Sequence, residues 1–118
     1  MAHVTLKGNA VNTYGELPAI DSAAPDFELI DKDLAVRHLG DFSGRLLINI
    51  VPSLDTPVCG ASTREFNQRA ADLDNTQVLV VSTDLPFAQG RFCSTEGLTD
   101  VIPLSMMRTR KFAKDYGV

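Results

Sequence analysis

Hydrophobic and polar positions alternate along this chain in a way that fixes most of its elements. Leu46-Leu47-Ile48-Asn49-Ile50-Val51 is apolar except at Asn49, which predicts a central strand buried on both faces. Gln77-Val78-Leu79-Val80-Val81-Ser82 repeats that character. Between them Cys59, Phe66, Ala70 and Leu73 fall at i, i+7, i+11 and i+14, one stripe of a helix of period 3.6. Arg64, Glu65, Gln68 and Asp72 take its other faces. Residues 46–83 therefore read as strand–helix–strand, and such a crossover implies parallel strands with helices packed on the sheet.

The flanking segments are shorter. Lys7-Gly8-Asn9 between two short apolar runs predicts an N-terminal hairpin over residues 4–12. Residues 17–25 hold Pro18 and Pro25 and predict an extended connection, because proline turns its predecessor away from helix. Residues 27–29 and 36–39 are strand candidates around the polar turn Asp31-Lys32-Asp33. Asp84 is the expected N-cap of a second, short helix with Pro86 in its first turn and Gly90 inside it. A third parallel strand is expected over residues 102–104 and a last helix over residues 109–116. The fold class is α/β with a small β N-terminus, and 118 residues support a single domain over residues 1–118.

Composition narrows the function. Eleven Lys+Arg against fifteen Asp+Glu leave a net charge of −4. The densest cationic run, Arg108, Arg110, Lys111 and Lys114, reads as one helix face. A nucleic-acid backbone or an anionic membrane as main partner needs a concentrated basic patch, so neither is expected. The longest apolar run is far shorter than the roughly twenty residues that cross a bilayer. The N-terminus has neither a basic start nor an apolar stretch after it, so a cytoplasmic location is expected. Thiols there are kept reduced, which makes Cys59 and Cys93 poor candidates for a structural staple. His3 and His38 show no paired-ligand spacing with them, and no metal site is expected.

The chemistry concentrates in Pro52-Ser53-Leu54-Asp55-Thr56-Pro57-Val58-Cys59, which joins the carboxyl end of a strand to the first turn of a helix. Open α/β sheets place ligands at that point. A thiol there meets unpaired backbone N–H groups and the positive end of the helix dipole, and both favour thiolate. Thr56 is placed for its hydroxyl to donate to that thiolate or to orient an oxygen-bearing substrate, and Pro52 and Pro57 stiffen the loop. The competing reading is that Cys59 is a small core residue on the apolar stripe. Cys93 lies about eight residues into its helix, about 12 Å along the axis from the first turn. A disulfide needs α-carbons within roughly 7 Å. A bond between the two cysteines therefore requires unwinding of the short helix around Gly90, which points to a gated, reversible disulfide.

The Pro52…Thr56…Cys59 loop resembles the peroxidatic-cysteine loop of the peroxiredoxins. Together with Asp84-Leu85-Pro86-Phe87-Ala88-Gln89 and Arg91-Phe92-Cys93, it is similar to the bacterial thiol peroxidases, atypical two-cysteine members with both cysteines in one subunit. The N-terminal hairpin and the tail Phe112-Ala113-Lys114-Asp115-Tyr116-Gly117-Val118 also fit them. The resemblance implies a thioredoxin-like fold, with Cys59 as the peroxidatic and Cys93 as the resolving cysteine, the two forming the redox-active disulfide. Thr56 would be the active-site threonine and Pro52 the proline that shields the thiolate. It also implies hydrogen peroxide and organic hydroperoxides as substrates, thioredoxin as reductant, a homodimer, and no metal or organic cofactor.

One departure stands out. The family carries an active-site arginine on a later strand, and this sequence ends at Gly117-Val118 before that position. Neither Arg64 nor Arg91 matches it. The expectation is a domain that is C-terminally truncated relative to the family, lacking two strands and a final helix. Its sheet would have an unpaired edge, and peroxide reduction would be slower for want of a donor to the developing oxygen charge. The alternative function is a thioredoxin-fold dithiol module that exchanges with a partner protein and performs no peroxide chemistry. A structural fragment with two inert thiols is a third.

Overall fold

The computed structural model describes residues 2–118. A two-stranded hairpin, β1 (His3–Leu6) and β2 (Asn9–Asn12), opens the chain. Its turn is Lys7-Gly8, and both residues have positive φ, the conformation that matches the twist of a two-residue hairpin. The extended connector leads to β3 (Glu28–Ile30) and β4 (Val36–His38), which pair antiparallel. Asp31 makes the turn between them by accepting the backbone N–H groups of Asp33 and Ala35. A single 3₁₀ turn, Leu39–Asp41, follows.

The strand–helix–strand unit is β5 (Arg45–Ile50), α1 (Pro57–Ala70) and β6 (Thr76–Ser82). Then come α2 (Pro86–Glu96), β7 (Val101–Ser105) and α3 (Lys111–Tyr116). The main sheet has the order β4-β3-β7-β6-β5, with β5, β6 and β7 parallel and β3 antiparallel to β7. Strand β6 alternates between two cores. Val78 and Val80 face an apolar cluster with Val51, Leu54, Cys93 and Val101, against which Phe66 and Ala70 of α1 pack. Leu79 and Val81 face the other, built from Phe27, Leu29, Leu104, Phe112 and Tyr116. Helices α1 and α2 thus cover one face and α3 the opposite one.

The tail closes this second core. Phe112 and Tyr116 stack with ring centroids 4.4 Å apart, and the Tyr116 hydroxyl donates to the Pro25 carbonyl at 2.7 Å. Gly117 ends α3 with φ 71°, and a Cβ there would collide with the Glu16 carbonyl, so the position needs glycine.

The structure corrects four expectations. β5, expected at the centre, stands at the edge of the sheet, and its side chains are half-buried; β6 takes the fully buried place. The apolar pattern is the same in both strands, and periodicity does not tell which has neighbours on both sides. Leu73 falls beyond the end of α1 and is largely exposed, because the helix stops at Ala70 before its stripe is complete. Asp84 is not the N-cap of α2; Leu85 holds that position, and the Asp84 carboxylate is engaged elsewhere. Arg108 and Arg110 precede α3, so only Lys111 and Lys114 of the cationic run lie on the helix.

Candidate functional site

Residues 52–56 leave β5 and enter α1 as a loop anchored from β6. The Asp84 carboxylate accepts the Ser53 hydroxyl at 2.6 Å through Oδ1, and the Leu54 N–H at 2.7 Å and the Ser82 hydroxyl at 2.8 Å through Oδ2. Thr83 adds a second tie, its N–H and hydroxyl both donating to the Pro52 carbonyl. The loop carries little regular backbone bonding of its own, so these side chains replace it. Leu54 is buried in the α1/α2 cluster and pins the loop from below.

Thr56 is the N-cap of α1 and Pro57 its first residue, which puts Cys59 at the third helical position. Proline there is pre-set for the helix and lacks an N–H that would otherwise be unpaired. Cys59 is half-buried and packs against the cluster to which Cys93 belongs. Its carbonyl accepts the hydroxyls of Ser62 at 3.0 Å and Thr63 at 2.9 Å. The Thr56 hydroxyl donates to the Ser53 carbonyl at 2.9 Å, which corrects the expectation that it reaches the cysteine. In this arrangement it tightens the loop. Pro52 is exposed, as are Pro57 and Val58.

Cys93 is the eighth residue of α2, buried at 9% exposure. Burial pushes its thiol up from the ordinary value, and the nearby Lys32 ammonium works in the other direction. Both cysteines are free thiols. Leu54, Thr56 and Pro57 on one side and Ala88, Arg91 and Phe92 on the other line a cleft of about 770 Å³ between the Cys59 loop and α2. Cys93 borders a separate cleft of about 560 Å³, shared with Lys32 and Gly90.

The anchoring network was not anticipated from the sequence. The sequence points to Asp84 as a cap and places Ser53 in the Cys59 loop, Ser82 in a strand and Gln89 in the second motif, without linking them to one another. Gln89 is fully buried, and its Nε2 donates to Ser82 Oγ and to the Leu104 carbonyl, each at 2.8 Å. A polar residue four positions before Cys93, on the same helix face, was the available signal.

A parallel β–α–β unit with a cysteine in the first helical turn, and a second cysteine from the next helix on the same apolar cluster, defines a thioredoxin-like thiol redox protein. Comparison with known proteins is more specific. The Redoxin family matches residues 19–118. Thiol peroxidases of Mycobacterium tuberculosis and Mycobacterium bovis are each 55% identical over 119 residues, an alignment that takes in 100% of this chain and 71% of theirs. A peroxiredoxin-like protein from Aquifex aeolicus superposes with a TM-score of 0.89 at 40% identity, covering 98% of this chain and 68% of the other. A thiol peroxidase from Chromobacterium violaceum does so with 0.87 at 27% identity and the same coverage. The chain belongs to the thiol peroxidase family of the peroxiredoxins, enzymes that reduce peroxides with a cysteine thiol.

Proposed function

We propose that Cys59 is the peroxidatic cysteine of this enzyme and Cys93 its resolving cysteine, within one thioredoxin-like domain over residues 1–118. One observation carries the reading: Cys59 enters α1 in its first turn and packs on the cluster that holds Cys93, while the loop residues before it, Leu54, Thr56 and Pro57, line a cleft. The Cys59 thiolate attacks the terminal oxygen of a hydroperoxide. A sulfur–oxygen bond forms, the oxygen–oxygen bond breaks, and the departing oxygen leaves as water or an alcohol after taking a proton. The sulfur of Cys93 then displaces the sulfenic oxygen of Cys59 as water, giving an intramolecular disulfide. An external dithiol reduces it by exchange through a mixed disulfide, and thioredoxin is the reductant proposed.

Thr56 and Pro52 serve the first step by shaping the loop: Thr56 through its bond to Ser53, Pro52 through the carbonyl that Thr83 holds. The substrates proposed are hydrogen peroxide and organic hydroperoxides, and the apolar Leu54, Pro57 and Phe92 suit the latter. The enzyme is proposed to work in the cytoplasm as a homodimer. Hydroperoxide consumption by the chain with thioredoxin, thioredoxin reductase and NADPH tests this. Turnover is expected from the parent, none from Cys59→Ser, and a single turnover without recycling from Cys93→Ser. Dithiol exchange with thioredoxin in the absence of any peroxide consumption would favour a redox-interaction module instead.

A further inference from the structure

Helices α1 and α2 are also joined by side chains across the cleft beside the Cys59 loop. Arg64, in the second turn of α1, donates from Nη2 to Glu96 Oε1 at 2.9 Å. Glu96 is the last residue of α2. The Arg64 guanidinium carbon also stands 5.7 Å from the centre of the Phe92 ring. Phe92 and Glu96 lie on either side of Cys93 in sequence and four residues apart, so one arginine on the Cys59 helix grips one face of the turn that carries Cys93. Gly60 lies beneath the grip: a Cβ there would touch both Arg64 Nη2 and the Phe92 ring at 3.6 Å. The hydrogen bond and the charge hold Glu96 below, and Arg64 above, their ordinary values. Among the described residues it is the one ion pair between α1 and α2.

The resolving step has a mechanical requirement that this grip opposes. Cys93 is buried, and the Leu98 N–H and the Gly97 turn close α2 directly after it. Cys93 directly follows Phe92, so any movement of Cys93 out of its buried place disturbs the turn that Arg64 holds. We infer that Arg64 is a positioning residue for disulfide formation: its clasp on Phe92 and Glu96 keeps the last turns of α2 folded, and release of the clasp sets how fast Cys93 meets the oxidised Cys59. The inference rests on the assignment of the two cysteines given above. The chemistry is unchanged by it. Cys93 supplies the electron pair of the new sulfur–sulfur bond, the sulfenic oxygen leaves Cys59, and the thiol proton departs with it as water.

A partly exposed ion pair weakens with added salt, whereas apolar packing does not. The device therefore has a signature. Resolution in the parent accelerates as potassium chloride is raised, while the peroxide step does not. Glu96→Gln keeps the size of the side chain and removes the charge.

The experiment mixes the reduced full chain with one equivalent of an organic hydroperoxide. Peroxide consumption reports the first step, and rapid quench with intact mass reports sulfenic acid and disulfide. At low salt Glu96→Gln is expected to form disulfide roughly two- to fivefold faster than the parent. Because Glu96 also lines the cleft beside the Cys59 loop, the readout is the resolution rate relative to the first-step rate of the same protein, and resolution in the variant should show no salt dependence. Equal resolution rates and equal salt dependence in parent and variant would overturn the clasp. So would parallel changes in both steps, which a general loosening of the fold produces. Failure of the underlying assignment looks different: the parent itself then consumes peroxide without forming a disulfide, or consumes none.

Discussion

The Asp84 carboxylate accepts the backbone N–H of Leu54 at 2.7 Å, and through this bond the end of β6 holds the loop that leads to Cys59. The same carboxylate takes the hydroxyls of Ser53 and Ser82, and the Asp84 carbonyl takes that of Ser105 at the end of β7. One residue thus fastens the Cys59 loop to the ends of two neighbouring strands. The sheet, not the loop, determines where α1 begins.

Asp84→Ala leaves three donors, the Ser53 and Ser82 hydroxyls and the Leu54 N–H, without this acceptor. Hydrogen bonds to a charged group contribute about 1.5–3 kcal/mol. Urea unfolding is expected to show a loss of about 2–3 kcal/mol. The first-step rate with peroxide should fall at least about tenfold, because the helix start that presents Cys59 is no longer fixed. Parental stability and rate in this variant would remove the anchoring role.

Cys93 gives the stability an alkaline dependence. Its folded-state value is raised, chiefly by burial, above that of an exposed thiol. The folded protein therefore holds the thiol proton to higher pH than the unfolded chain does. The contribution is fully present below the ordinary thiol value and is lost as pH rises through the raised one. Compared with Cys93→Ser, the parent should lose urea stability faster across that window. Parallel stability curves for the two proteins would contradict the burial of the thiol.

Tyr116 joins α3 to the connector through its bond to the Pro25 carbonyl, 91 residues apart in sequence. Tyr116→Phe keeps the stack on Phe112 and removes that bond, at an expected loss of about 1 kcal/mol. Leu79→Ala, in the fully buried middle of β6, should cost about 2–5 kcal/mol. Thermal or urea unfolding measures both, and a larger loss at Tyr116 than at Leu79 would reverse the order of importance assigned to them.

Much of this architecture was legible because each signal was local. The turn at Lys7-Gly8, the stripe of Cys59, Phe66 and Ala70, and the apolar run of β6 each follow from spacing within a few residues. So does the place of Cys59 in the first turn of α1, which Pro57 marks. The parts that escaped depend on residues brought together by the fold. Sequence favoured Asp84 as a cap because aspartate before a proline-led helix usually is one; Ser53 and Leu54, some thirty residues earlier, claim it instead. Arg64 and Glu96 read as ordinary solvated charges until α1 and α2 lie side by side. The edge position of β5 is likewise a property of the sheet order; its own apolar pattern is that of a strand with two neighbours, and its bare side is the unpaired edge expected from the sequence.

The central claim is that Cys59 and Cys93 carry one peroxide-driven dithiol cycle. The most direct measurement is the intact mass of the reduced chain before and after one equivalent of an organic hydroperoxide. The account predicts a rapid loss of about 2 Da in the parent, a gain of about 16 Da in Cys93→Ser, and no change in Cys59→Ser. A parent whose mass does not change, or a Cys59→Ser variant that still reacts, would contradict it.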